Sequence, residues 1–336
     1  MPSWGELLIE LQKEAKKTGA PPFDAVRRKY LTSTFRKTGR NTILYATMWT
    51  QPAPAGGYID PELISITEED VQGLMEVIHG LKGSELDLII HSPGGSPEAA
   101  EAIVSYLRSK FDDIRVIIPQ AAMSAATMIA CASDLIIMGK HSSIGPVDPQ
   151  FILQTPLGPQ MVPAQAILDQ FELAKLECAD PKNLSTWLPI LNQYGPALLV
   201  QCKNALGLSQ RLVSEWLKAY MFAEEDGAEL ISQEIAEKLS DHKYFMSHSR
   251  HINRDHAHNF LKLKTEPLEK DQDFQDLILS VFHATTHTFS GTGAVKIIEN
   301  HLGKAFIKQH QRIIVQEQKD GRQLDKQSHQ DIKKKR

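Results

Sequence analysis

Between residues 41 and 150 short apolar runs alternate with amphipathic stretches of helical period. Thr42-Ile43-Leu44-Tyr45-Ala46-Thr47-Met48-Trp49, Leu86–His91, Asp113–Ile118 and Leu135–Met138 are compact and rich in β-branched residues, which predicts strands. Leu86–His91 does not alternate in polarity, the mark of a strand covered on both faces. Thr67-Glu68-Glu69-Asp70 offers a cap and an acidic first turn, and Val71, Leu74, Val77, Ile78 and Leu81 follow at helical spacing. Pro97-Glu98 starts a second helix through Ala102, Ile103, Tyr106 and Leu107, and a third follows Ser124. Strands that alternate with helices of this length imply βαβ crossovers and a parallel sheet, so the fold class is α/β.

The flanks read differently. Residues 1–40 form a helical arm, with Leu7, Leu8, Leu11, Val26, Tyr30, Leu31 and Phe35 on its apolar face. Arg27, Arg28, Lys29, Arg36, Lys37 and Arg40 give its second part a basic face, read as solvated rather than as a nucleic-acid or lipid contact. Residues 52–57 are a loop rich in Pro, Ala and Gly. Beyond Gln150 the pattern predicts helices over Ala164–Cys178, Gly207–Phe222, Asp226–Leu239, Asp273–Phe289 and Val295–His310. His283 and His287 read as satisfied core histidines. His242, His248, His251, His256 and His258 sit among polar neighbours with no HExxH, and read as surface histidines rather than metal ligands. The expected organisation is the arm (1–40), an α/β domain (41–240), a mostly helical region (241–315) and a charged, disordered tail (316–336).

Composition narrows the class. Hydrophobic residues make up 42% of the 336 positions, ample for a core, and the net charge of −4 gives no pull toward nucleic acid or anionic membrane. Three cysteines without paired spacing argue for a reducing, cytoplasmic setting, and the first residues carry no secretory signal pattern. Residues 116–138 are nearly uncharged, yet Pro119, Gln120 and Asp134 interrupt them. Strand, turn, buried helix and strand explain that better than a membrane span.

Two turns carry the chemistry. His91-Ser92-Pro93-Gly94-Gly95-Ser96 follows a buried strand, and Ala121-Ala122-Met123-Ser124-Ala125-Ala126 joins a strand to a helix. A glycine pair lets a carbonyl approach bare amides, or serves only as a tight turn. Ser124 is either a helix cap or a nucleophile crowded by small neighbours at a helix start, where dipole and free N–H groups favour negative charge. On neighbouring parallel strands both turns reach the carboxyl edge, where open α/β sheets place their sites.

These motifs, with Ala132-Ser133-Asp134-Leu135 and Ser142-Ser143-Ile144-Gly145-Pro146-Val147-Asp148-Pro149-Gln150, resemble the Clp protease and signal peptide peptidase A superfamily, and within it the serine dehydrogenase proteinase branch. Lys296–His301 also looks familial. The resemblance implies a ClpP/crotonase-like spiral of βαβ units. It further implies proteolysis of a peptide or protein substrate by a serine nucleophile in a homo-oligomer, without metal or cofactor. Carried over, Ser124 is the nucleophile, and the amides of Gly95, Gly94 and Ala125 supply the oxyanion hole. Clp proteases place a histidine about twenty-five residues after the serine, and here that neighbourhood has none. Signal peptide peptidase A uses a lysine further on, which points to Lys175, with Lys182, Lys140 and His141 as alternatives. Two other functions stay open: a crotonase-like acyl-CoA enzyme, and an inactive peptide-binding scaffold of the same fold.

Overall fold

The computed structural model describes residues 3–52, 58–155 and 158–310. Residues 53–57 of the loop expected at 52–57, and the tail expected at 316–336, lie outside the described residues. A seven-stranded sheet organises the chain, its strands in the order β10 (Thr265–Pro267), β5 (Leu135–Met138), β3 (Asp113–Ile118), β2 (Glu85–His91), β1 (Asn41–Thr47), β11 (Ala294–Asn300) and β12 (Ala305–Gln309). Its parallel part is β1, β2, β3, β5 and the short β10. Helices α3 (Pro61–Ile64), α4 (Asp70–Ile78), α5 (Pro97–Arg108) and α6 (Ala125–Cys131) connect these strands.

The strands form because both their faces are covered. Ile43, Leu86, Leu88, Ile90, Val116 and Ile136 point into one core with α4, α5 and α6. Leu44, Ala46, Ile89, Ile117 and Ile137 point into a second core on the opposite face, beside α13 (Gln272–Gly291). The arm, α1 (Trp4–Thr18) and α2 (Phe23–Thr38), packs against α13 on that side.

The expected helix over Val295–His310 is instead a hairpin: β11 (Ala294–Asn300) lies antiparallel to β1, and β12 (Ala305–Gln309) returns beside it. Residue period explains the difference. Val295, Ile297, Glu299 face one side and Lys296, Ile298, Asn300 the other, and all are buried, as only a sandwiched strand allows. The basic face of α2 is also less solvated than expected. Arg27 is fully buried and pairs with Glu299, and Arg40 binds Glu85, Asp87 and Asp113.

A small sheet of β4 (Ala121–Ala122), β6 (Ser143–Ile144) and β9 (Ile252–Asn253) stands at the carboxyl edge. Beyond it projects a lobe made of a hairpin, β7 (Gln150–Thr155) and β8 (Gly158–Pro163), with α7 (Ala164–Glu177) and α8 (Leu184–Leu191). Helices α9 (Leu198–Ala219) and α10 (Ala228–Ser240) return the chain to the main core. The short α11 (His242–Phe245) and α12 (Arg254–Asn259) then lead back to β10. The hairpin was not visible in the polarity pattern. No helix among the described residues is long and apolar enough to cross a membrane.

Candidate active site

The two motif turns meet. Ser92 bridges Ala122 in parallel, its N–H donating to the Ala121 carbonyl (3.1 Å) while the Met123 N–H donates to the Ser92 carbonyl (3.0 Å). This lays the diglycine bend along the start of α6. A Cβ on Gly94 would fall 2.6 Å from the Met123 carbonyl oxygen, 2.7 Å from the Ser124 Cβ and 2.9 Å from the Ala125 nitrogen. Gly94 also sits at φ +98°, so both backbone and space demand glycine. A Cβ on Gly95 would overlap the backbone of Ile66.

Ser124 adopts φ 50°, ψ −121°, a region that costs a residue with a side chain about 1–3 kcal/mol unless its surroundings impose it. The Met123 amide on Ser92, the Ala126 amide on Met123 (2.9 Å) and the Met128 amide on the Ser124 carbonyl (3.1 Å) impose it here. Although Ser124 is the N-cap residue of α6, its hydroxyl makes no capping bond. Strand, strained serine, then helix is the geometry of a nucleophile elbow. Among the described residues the amides of Gly95 and Ala125 have no hydrogen-bond partner, whereas the Gly94 amide donates to the Ser92 hydroxyl at 3.2 Å. Two unused amides and a half-buried hydroxyl thus border Gly94, parts suited to an acyl carbonyl.

Thr127 fastens the far wall. Its hydroxyl accepts the Gly145 N–H (3.0 Å) and lies 2.8 Å from the Ala122 carbonyl. Gly145 in turn rests against the Met123 side chain. His91, last in β2, is buried beside Trp49 and Phe282, its Nε2 3.2 Å from the Thr50 hydroxyl. Burial pushes its pKa down to about 3, so it is a neutral structural ring.

Lys175, on α7, is 55% exposed with its Nζ 2.6 Å from Glu172. Lys182 and Lys140 are exposed, and so is His141. Among the described residues no hydrogen bond or ion pair links any of the four to Ser124. A group that sequence reasoning passed over lies around the segment between β6 and β7. Asp148 is buried, with His242 Nδ1 at 3.0 Å and His248 Nδ1 at 2.7 Å, and His251 Nδ1 is 2.7 Å from the Ser143 hydroxyl. His242 and His248 are mostly covered rather than solvated. Nearly a hundred residues separate each from Asp148, so no local spacing could have signalled the pairing.

Two uncharacterized proteins of Methanocaldococcus jannaschii are similar to the chain, one 40% identical over 120 residues and the other 44% over 86. These alignments cover 35% and 25% of this chain and 39% and 30% of the relatives, so the chain spans well under half the length of either. Two solved structures of the 1510-N membrane-bound stomatin-specific protease are more distant, one a serine-to-alanine mutant and one a lysine-to-alanine mutant with a substrate peptide. They are 16% identical, cover 60% of this chain and 74% and 70% of theirs, and give TM-scores of 0.34 and 0.35. The family model of the ClpP-like SDH-type serine proteinases matches residues 61–252, more than half the chain and both turns, and the chain belongs to that family.

Proposed function

We propose that this chain is a serine peptidase in which Ser124 attacks the peptide carbonyl and the amides of Gly95 and Ala125 hold the resulting oxyanion. The observation that carries the reading is the seating of Gly94 against Ser124 and Ala125 beside a strained serine that caps nothing. In the first step the Ser124 hydroxyl gives its proton to a base as its oxygen bonds the carbonyl carbon. Collapse then breaks the C–N bond, the amine leaves with that proton, and water releases the acyl group by the same route. No step calls for a metal or cofactor.

Lys175 is the proposed base by family resemblance. A lysine accepts a proton only when its amine is neutral and within reach of the hydroxyl. Lys175 therefore acts only once Glu172 is drawn away and α7 is covered, as a bound substrate or a second copy in a homo-oligomer would do. One observation favours a second reading. With the Asp148 carboxylate on Nδ1 of His248, a neutral ring keeps its lone pair on Nε2, which is the His–Asp half of a Ser–His–Asp triad. Asp148 follows Gly145 by three residues, and Gly145 packs on Met123.

A fluorophosphonate probe tests the proposal. Labelling is expected at Ser124, with labelling and peptide cleavage both lost in Ser124→Ala while its thermal unfolding stays cooperative. Labelling that persists in Ser124→Ala refutes the nucleophile. Turnover of a CoA thioester by Ser124→Ala would support the crotonase-like alternative, and a folded, unlabelled wild type would support the scaffold.

A further inference from the structure

A buried ion pair lies behind the diglycine bend, outside any role assigned so far. Lys296 on β11 and Asp70 at the start of α4 are both fully buried, with Nζ 2.7 and 2.8 Å from the two carboxylate oxygens. The Lys296 ammonium also donates to the Ser65 carbonyl at 2.6 Å. Asp70 Oδ2 accepts the Thr67 N–H at 2.9 Å and the Tyr45 hydroxyl at 2.7 Å. Ser65 and Thr67, the two neighbours of Ile66, are therefore tied to one ion pair. Ile66 is the residue that grips the bend. Its N–H donates to the Gly94 carbonyl at 2.7 Å, and its carbonyl accepts the Ser96 N–H at 3.0 Å.

We infer that Lys296 and Asp70 are positioning residues that aim the Gly95 amide of the proposed oxyanion hole. The inference rests on the reading of Ser124 given above. The Gly94 carbonyl and the Gly95 N–H belong to one planar peptide unit, and no peptide bond of the described chain is cis. In a trans unit the two groups point in opposite directions. Holding the carbonyl on Ile66 therefore turns the Gly95 N–H away from Ile66. Gly94 meanwhile abuts Ser124 and Ala125. Were residues 65–67 to drift, the peptide plane would rotate and the amide would leave its line.

Stability alone is a poor account of this pair. Replacing a buried ion pair by neutral side chains is often neutral or even stabilising, because desolvation offsets the attraction. What an apolar pair could not supply is the bond to the Ser65 carbonyl and the strong acceptor for the Thr67 amide.

The test compares two reactions at position 124 that differ in their need for an oxyanion hole. Phosphonylation by a fluorophosphonate probe develops negative charge on a phosphoryl oxygen. Alkylation of the Ser124→Cys protein by iodoacetamide displaces iodide and develops none. In the double variant Asp70→Asn/Lys296→Met, fluorophosphonate labelling of Ser124 is expected to slow tenfold or more. In the same pair placed on Ser124→Cys, alkylation of that cysteine, followed by mass spectrometry, should stay within twofold. Fluorophosphonate labelling within twofold of wild type overturns the inference, and so does an equal loss of both reactions. A wild type left unlabelled at Ser124 overturns the underlying reading instead. Tyr45→Phe, which spares the ion pair and removes one bond to Asp70, is the second arm should the double variant not fold. About threefold slower labelling is expected there, and an unchanged rate overturns the inference.

Discussion

The carboxyl edge of the sheet and the lobe of residues 150–191 are neighbours in the chain and opposites in construction. At the edge Ser92, Gly94, Gly95 and Ser96 are each set by a strand bridge, a hydrogen bond or a clash that only glycine escapes. The lobe packs on the start of α9 through a small core, Ala164 and Ile167 against Leu198 and Cys202, and leaves Ile152, Met161 and Leu176 about two-thirds or more exposed. The rigid element holds the atoms that must be placed within tenths of an ångström. The lobe holds Lys175, the proposed base, exposed and paired with Glu172. A nucleophile with its amides can be built from one sheet edge, whereas exposed apolar surface on the lobe suits a base completed by contact with something else.

The largest effect should come from breaking the edge itself. Gly95→Ala places a methyl on the Ile66 backbone and should destabilise the fold by about 3 kcal/mol. In protein that remains folded, the added methyl shifts the Gly95 amide, which alanine retains, off its line, and the weakened contact to the proposed oxyanion should slow fluorophosphonate labelling on the order of 100-fold. Chemical denaturation and labelling rates measure the two, and a wild-type labelling rate would remove Gly95 from the site.

The next experiment sets edge against lobe. If the base is on the lobe, Lys175→Met should lower peptide cleavage on the order of 100-fold or more, while His248→Gln changes it little. If the base belongs to the edge, the two variants exchange results. Either outcome sharpens the comparison, and equal small effects in both would rule out both proton acceptors.

The smallest effect is acid sensitivity of the edge. His91 has a folded pKa of about 3 against an ordinary 6.5, so the native state refuses a proton that the unfolded chain takes. Stability contributed at neutral pH is thus lost as pH falls below 6.5, by about 1.4 kcal/mol per unit until the folded pKa is reached. That is about 2 kcal/mol at pH 5. His91→Gln should flatten the decline in unfolding free energy between pH 6.5 and 5, leaving the smaller contributions of His283, His301 and His256, whose pKa values burial also lowers. An unchanged slope would show that His91 is hydrated in solution.

Periodicity and turn chemistry are local properties, and they were enough for the parallel strands β1, β2, β3 and β5, the helices between them and the two turns at their ends. Glycine at 94 and 95 and small residues around Ser124 are legible because a crowded backbone permits little else there. The hairpin at 294–309 was misread as helix because burial on both faces erases the alternation that marks a strand. Long-range electrostatics left no trace of spacing. Asp148 met His248 a hundred residues on, and Lys296 met Asp70 across more than two hundred. What the chain by itself determined is where the site's backbone must be glycine or small, since those residue types mark crowding whatever the crowding partner; that Gly94 meets Ser124 and Gly95 meets Ile66 is decided by the fold. Which charges support that backbone, and which one takes the proton, only the tertiary structure decides, because a charge is satisfied by whatever the fold brings within about 3 Å of it.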